Sequence, residues 1–231
     1  MRRMEAPGAP GPERLRAWKE YAARVAGTLW RDGWDPDAGA WREYVDGVSQ
    51  PVPLANTLAT LAGLTPPESP GVEAQILATS SGTPSMRAWA LRALVQRGLR
   101  GQAVDELIRS WGPLVAAGAD TFWEDFASEG EQPTQMYGRP FGKSLCHGWS
   151  SGPADLLVLA ILGTRPLVPG WAQFTVDPQL GDLEWAACVV PTVRGDVCVV
   201  AERGTTTVDV PAGTVLVHGA DRFTGPTKVS W

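Results

Sequence analysis

Apolar residues recur three and four positions apart at Leu15, Trp18, Ala22, Val25 and Leu29, which puts one stripe on one face of a helix ending near residues 30–33. The next segment, Asp32-Gly33-Trp34-Asp35-Pro36-Asp37-Ala38-Gly39-Ala40-Trp41, is rich in corner residues and predicts a short hairpin. Leu54, Ala55, Leu58 and Leu61 predict a second helix over 52–62, buried by that face and closed by Gly63 and the Thr65-Pro66-Pro67 breaker. A short third helix is expected over 72–79. Thr83 can cap and Pro84 can occupy the first turn of a fourth, with Ala90, Leu91, Leu94 and Val95 inward and Gly98 as its stop. The fifth carries Val104, Leu107, Ile108, Trp111, Leu114 and Val115 on one face, with Pro113 kinking it. A sixth, over 153–163, is apolar nearly all round and predicts burial on most sides.

From Trp171 onward the period changes. Residues 174–176, 183–190, 197–201, 205–210 and 214–217 are short β-branched runs between Gly, Pro and Asp, the patterning of an antiparallel, sandwich-like β-domain. The chain thus reads as six helices and then five or six strands, two structural classes in series. Residues 1–13, with Pro, Gly and Ala filling positions 6–12, read as a disordered lead-in; 14–168 as the helical domain; and 169–231 as the β-domain.

Composition narrows the partners. With 25 acidic against 20 basic residues, and the latter scattered singly, no concentrated positive face for a phosphate backbone is expected, so nucleic acid is excluded as a partner. No run approaches the ~20 apolar residues of a membrane span, and residues 1–13 lack the apolar core of a secretory signal. Cys146, Cys188 and Cys198 form an odd, sparse set without metal-ligand pairing, which favours a reduced, cytoplasmic setting. Asp32, Asp35 and Asp37 have the alternation of a calcium loop but lack its closing Glu, so a turn is the better reading. No cofactor and no metal are expected. The 11 Trp outnumber the 8 Phe and Tyr together; flat rings with a polar edge suit sugar faces, although packing is the ordinary use of any one Trp.

The segment 121–149 carries the candidate chemistry. It begins Thr121-Phe122-Trp123-Glu124-Asp125-Phe126, ends Ser144-Leu145-Cys146-His147-Gly148-Trp149, and is polar and Gly/Pro-punctuated between, with no helical or strand period. A long aperiodic segment inside a domain is functional or disordered, and the apolar residues at both ends favour an ordered, functional loop. Glu124, between aromatics and beside Asp125, is the residue whose partial desolvation and like-charged neighbour make a better base; the ordinary alternative is a solvated loop acid. His147 reads either as a structural histidine or as a donor to a ligand hydroxyl. A Cys146/His147 nucleophile pair is disfavoured because adjacent residues in an irregular segment rarely face each other.

Three stretches carry a family resemblance: Thr121-Phe122-Trp123-Glu124; Tyr137-Gly138-Arg139-Pro140-Phe141-Gly142-Lys143-Ser144-Leu145-Cys146-His147; and Gly163-Thr164-Arg165-Pro166-Leu167-Val168-Pro169-Gly170-Trp171. With Gly82-Thr83-Pro84 upstream and Pro178-Gln179-Leu180-Gly181-Asp182-Leu183-Glu184-Trp185 downstream, the chain resembles the C-terminal half of bacterial α-L-rhamnosidases of glycoside hydrolase family 78. The resemblance implies a partial (α/α)6 six-hairpin barrel of about three hairpins followed by a β-domain. It also implies an inverting, two-carboxylate hydrolase acting on rhamnose-containing glycosides, with carboxyls ~6.5–9.5 Å apart. By motif, Glu124 is the base and His147 a sugar contact, with Trp123 and Trp149 as pocket walls. The family's general-acid segment lies in the first half of the barrel, before the first helix of this chain, and Ser85 stands where family members commonly carry a larger residue. Asp120, Asp125 and Glu129 adjoin the base and would approach from its own side, whereas Asp32, Asp35 and Asp37 are the acids able to face it. These departures imply a chain inactive alone, with a separate N-terminal half-barrel chain as its partner. The alternatives are a non-catalytic carbohydrate-binding or barrel-completing subunit, and another glycosidase activity on the same six-hairpin fold.

Overall fold

The computed structural model describes residues 11–78, 82–128 and 130–231, and the chain divides into two compact units, Met1–Ala78 and Thr79–Trp231. Residues 1–10 of the expected disordered lead-in and the acid Glu129 lie outside the described residues, whereas Pro12 and Glu13, expected to be part of that lead-in, begin the first helix. No described helix is long and apolar enough to cross a membrane.

In the first unit, α1 spans Pro12–Thr28 and continues as a single wider turn, Leu29–Gly33, into the expected hairpin of β1 (Trp34–Asp35) and β2 (Ala40–Trp41). The hairpin corner is an Asx turn: the Asp35 carboxylate accepts the N–H groups of Asp37 and Ala38 at 3.0 and 3.1 Å and pairs with Arg42 at 3.0 Å. Trp30, Trp34 and Trp41 form a three-ring cluster with centroids 4.9–5.1 Å apart, so these tryptophans serve packing.

Helices α2 (Pro53–Leu61) and α3 (Pro70–Leu77) pack together, but α2 faces the opposite way from the expectation. Its buried residues are Asn56, Thr57 and Thr60, while Leu54 and Leu58 are exposed. The reason is the open edge of β2. The Asn56 side-chain amide accepts from the Trp41 N–H at 2.8 Å and donates to the Trp41 carbonyl at 2.9 Å, completing a backbone pair that no strand supplies. A buried, unpaired peptide group costs ~1–3 kcal/mol, enough to turn a polar helix face inward.

The second unit opens with α4 (Pro84–Gln96), capped by the Thr83 hydroxyl on the Met86 N–H, and α5 (Arg100–Ala116). They meet through Ala90, Leu91, Leu94, Leu107, Trp111 and Leu114, while Ile108 and Val115 of the predicted apolar face are exposed. The last helix, α6 (Gly152–Leu157), ends in a wider turn, Val158–Leu162, that stops at Gly163. It is buried along Pro153, Leu156, Ala160 and Leu162 and not on most sides, since Leu157 is exposed. Gly163 has φ +61° and lies so close to the Asp177 carbonyl that a Cβ would collide with it.

The strand region forms two four-stranded sheets. One orders β10 (Thr227–Ser230), β7 (Thr205–Val210), β6 (Val197–Glu202) and β5 (Trp185–Val190); the other orders β3 (Arg165–Pro166), β4 (Gln173–Thr175), β8 (Val215–His218) and β9 (Asp221–Thr224). A shared core of Leu162, Phe174, Val176, Val197, Val199, Val208 and Leu216 joins them. The expected all-antiparallel arrangement needs one correction: β4 and β8 pair in parallel, Gln173 with Val215 and Phe174 with Leu216. The helices-then-strands order holds, with β3, β9 and β10 added to the expected runs.

Candidate functional site

Both ends of the segment 121–149 are fastened to α5 by one residue. The Trp111 ring meets Phe126 edge-on at 5.0 Å, and its indole N–H donates to the Ser150 carbonyl at 3.2 Å. Between these anchors the two clusters read from the sequence run side by side. The His147 N–H donates to the Phe122 carbonyl at 2.7 Å, the Glu124 N–H to the Ser144 carbonyl at 2.8 Å, and the Thr121 hydroxyl to the Leu145 carbonyl.

Glu124 is held at three points. Besides its own N–H, its carbonyl accepts the Trp149 indole N–H at 2.7 Å, and its carboxylate Oε2 accepts the Ser144 N–H at 2.8 Å. Among the described residues Oε1 accepts no hydrogen bond. A half-buried carboxylate fixed through one oxygen keeps a lone pair on the other for a water or a hydroxyl. The His147 ring lies against Trp149 with centroids 4.5 Å apart, and its nitrogens make no hydrogen bond among the described residues. Trp149 is 46% exposed and presents ring surface, whereas Trp123 is 6% exposed and is a buried residue.

The intervening loop is ordered by its own bonds. Met136 and Arg139 exchange N–H···O bonds at 3.0 and 3.1 Å, and the Thr134 hydroxyl donates to the Pro140 carbonyl at 2.7 Å. Gly142 packs so tightly on the Met136 backbone that a Cβ could not fit. Lys143, which sequence reasoning passed over, is the buried fastener: its Nζ donates to the carbonyls of Asp125 and Phe126 at 3.0 and 3.1 Å. Burial pushes its ammonium below the ordinary lysine range, against the opposing charges of Asp125, Glu131 and Glu124. A lysine between Gly142 and Ser144 in a loop carries no sequence signal of burial; only the carbonyls it reaches, 17 and 18 residues earlier, reveal it.

The remaining candidates fall elsewhere. Asp125 Oδ1 accepts the N–H of Phe126 at 2.9 Å, and Asp120 is exposed. Cys146 is exposed, with its N–H on the Ser144 hydroxyl, and makes no contact with the His147 ring among those resolved for the described residues. In the first unit Asp32 is paired with Arg31 at 2.6 Å, which lowers its pKa, and Asp35 is occupied by the turn and by Arg42.

Comparison with known proteins gives a consistent picture. The family model described as the bacterial alpha-L-rhamnosidase C-terminal domain matches residues 163–217. The rhamnosidase from Klebsiella oxytoca with rhamnose bound is 26% identical over 64% of this chain and 29% of that chain, with a TM-score of 0.52. The α-L-rhamnosidase of Streptomyces avermitilis complexed with L-rhamnose is 19% identical over 87% of this chain and 20% of that one, with a TM-score of 0.69. The native enzyme of Aspergillus terreus is 17% identical over 95% of this chain and 27% of that one, with a TM-score of 0.71. No curated protein matches the chain. The chain spans 20–29% of the length of these solved structures. It resembles the C-terminal part of bacterial α-L-rhamnosidases, matching their C-terminal domain from Gly163 to Val217 and sharing the fold of solved α-L-rhamnosidases over most of its length.

Proposed function

We propose that this chain is the base-bearing part of an inverting α-L-rhamnosidase-like glycosidase, with Glu124 activating the attacking water. The observation that carries this reading is the Glu124 carboxylate itself. It is held through Oε2 by the Ser144 N–H at 2.8 Å, with Oε1 left to orient and deprotonate a water. His147 donates to a sugar hydroxyl, Trp149 offers its exposed ring to the sugar's apolar face, and Trp123 backs the site from the interior. Inversion needs a second carboxyl ~6.5–9.5 Å away across the bond to protonate the leaving oxygen. By the family resemblance that acid lies on a separate N-terminal half-barrel; of the acids in this chain, Asp120 and Asp125 adjoin the base in the same segment, and Asp32 and Asp35 pair with arginines.

In the presence of that half-barrel, Glu124→Gln lowers turnover of an aryl α-L-rhamnoside by ~10²–10⁴-fold while leaving the unfolding midpoint nearly unchanged. The 231-residue chain alone gives no hydrolysis above background. Turnover unchanged by Glu124→Gln would remove it from the mechanism; robust turnover by the isolated chain would place the acid within these residues.

A second reading, a non-catalytic barrel-completing or carbohydrate-binding subunit, is favoured by a different observation, the exposed apolar stripe of α1 at Leu15, Trp18, Tyr21 and Val25. In that case rhamnose binding survives Glu124→Gln and no partner chain restores hydrolysis.

A further inference from the structure

The second unit holds a cavity away from Glu124. It is a cleft of about 1010 Å³ between α4, α6 and the strands, and none of its lining residues lies within 121–149. The volume reaches the upper end of the ~300–1,000 Å³ range of ligand pockets, enough for one or two sugar units.

Its charge is unlike that of the chain. Arg92, Arg100 and Arg165 line it against Asp155 and Asp177. Two of these cations are committed: Arg92 to Asp155, and Arg100 to the Asp177 carboxylate at 2.9 Å and to the carbonyls of Ala160 and Asp177 at 2.7 Å each. Arg165, exposed on β3, makes no ion pair among the described residues. The cleft therefore holds one guanidinium in excess within a chain of net charge −5. A planar guanidinium is the group that takes a carboxylate or phosphate through two parallel hydrogen bonds.

The second feature is Trp171. It lines the same cleft, half-buried, with φ +58°, and lies 6.0 Å from the Phe174 ring. A bulky residue in the left-handed region is costly, and such strain collects at ligand sites. With Val158 and Leu159 it adds apolar surface suited to the C–H face of a pyranose, which a bare inorganic anion would leave unmet.

From these observations we infer that the cleft beside Arg165 and Trp171 is a second ligand site, separate from Glu124, that takes a carboxylate-bearing saccharide, a hexuronate unit. The carboxylate meets Arg165 and the ring face lies on Trp171. The inference rests on the cleft alone, so it stands or falls independently of the rhamnosidase reading.

Calorimetric titration of the full 231-residue chain with methyl glycosides of glucuronate and galacturonate tests it, with the corresponding methyl esters, L-rhamnose and inorganic phosphate as comparisons. The expected result is saturable uronate binding, lost on esterification and weakened about tenfold or more by Arg165→Glu, the scale of one charge-assisted hydrogen-bonded pair. Arg165→Ala gives a smaller loss in the same direction, Glu124→Gln gives none, and circular dichroism confirms that each variant is folded. Absence of saturable uronate binding, equal affinity for the ester, equal affinity for phosphate, or binding indifferent to Arg165→Glu each overturns the proposal.

Discussion

Glu124 and Asp125 are adjacent carboxylates with different work. Asp125 spends Oδ1 on the next peptide N–H at 2.9 Å and so shapes the chain; Glu124 takes its N–H from Ser144, across the loop, and keeps Oε1 without a hydrogen bond among the described residues. His147 is half-buried, its ring tilted against the exposed Trp149 and its nitrogens without a hydrogen bond among the described residues. If it donates to a sugar hydroxyl, His147→Ala weakens rhamnose binding by ~1–3 kcal/mol, the scale of a hydrogen bond whose partner is left unsatisfied. Wild-type affinity in that variant would show that the ring serves packing alone. Lys143 allows a sharper test because its charge is buried. Its folded pKa lies below the ordinary 10.5, so between the two values the unfolded chain binds more protons and stability rises with pH through that window. Lys143→Met removes this alkaline rise and, by orphaning the carbonyls of Asp125 and Phe126, lowers stability by ~1–3 kcal/mol at neutral pH. Urea titrations across alkaline pH that superimpose for the two proteins would refute both statements.

Between elements, polar side chains carry much of the specificity. Helices α4 and α5 are crossed by Arg87 and Glu106, each with a side chain 11% exposed; Glu106 also pairs with Arg109, and Arg87 Nε donates to the Ser110 hydroxyl at 3.0 Å. Removing one partner of a buried pair costs ~3–5 kcal/mol because the other charge stays desolvated, whereas replacing both by apolar groups is nearly neutral. Glu106→Ala is therefore strongly destabilising, and Arg87→Met with Glu106→Leu recovers most of the loss; equal unfolding midpoints for the single and double variants would contradict this. Arg100 plays a comparable part where α6 ends, since its guanidinium takes the Ala160 and Ile161 carbonyls that the widened last turn leaves open. In the first unit Asn56 does the same for the edge of β2. Each is a polar residue within a helix whose burial is set by backbone groups on another element.

For the molecule as a whole, what α1 leaves uncovered matters most. Leu15 is 44% and Trp18 51% exposed on the stripe that the spacing places on one face of α1, and the neighbouring Tyr21 is 62% exposed. Monomeric proteins rarely leave such contiguous apolar surface open, and a barrel-completing partner would cover it. The isolated chain is expected to self-associate in light scattering, and Trp18→Glu with Val25→Glu to shift it toward monomer. A monomeric wild-type chain with no tendency to associate would argue that this face needs no cover. Addition of the proposed half-barrel chain should compete with self-association, since both use the same stripe.

The elements whose signals are local were legible in the sequence. Helical period, the Thr83 cap, the Gly98 and Gly163 stops and the β-branched runs from Trp171 onward depend on neighbours within a turn or a strand, and the six helices and the main strands follow from them. The two ends of the loop 121–149 were also legible as clusters, because aromatic, acidic and imidazole groups crowd into few positions. What joins them was not. The Glu124 to Ser144 bond, the burial of Lys143, the inward polar face of α2, the parallel pairing of β4 with β8 and the excess guanidinium beside Trp171 all depend on groups distant along the chain. Hydrophobic period says which face of an element is apolar, but the unpaired backbone and charge of whatever packs against it decide which face is buried.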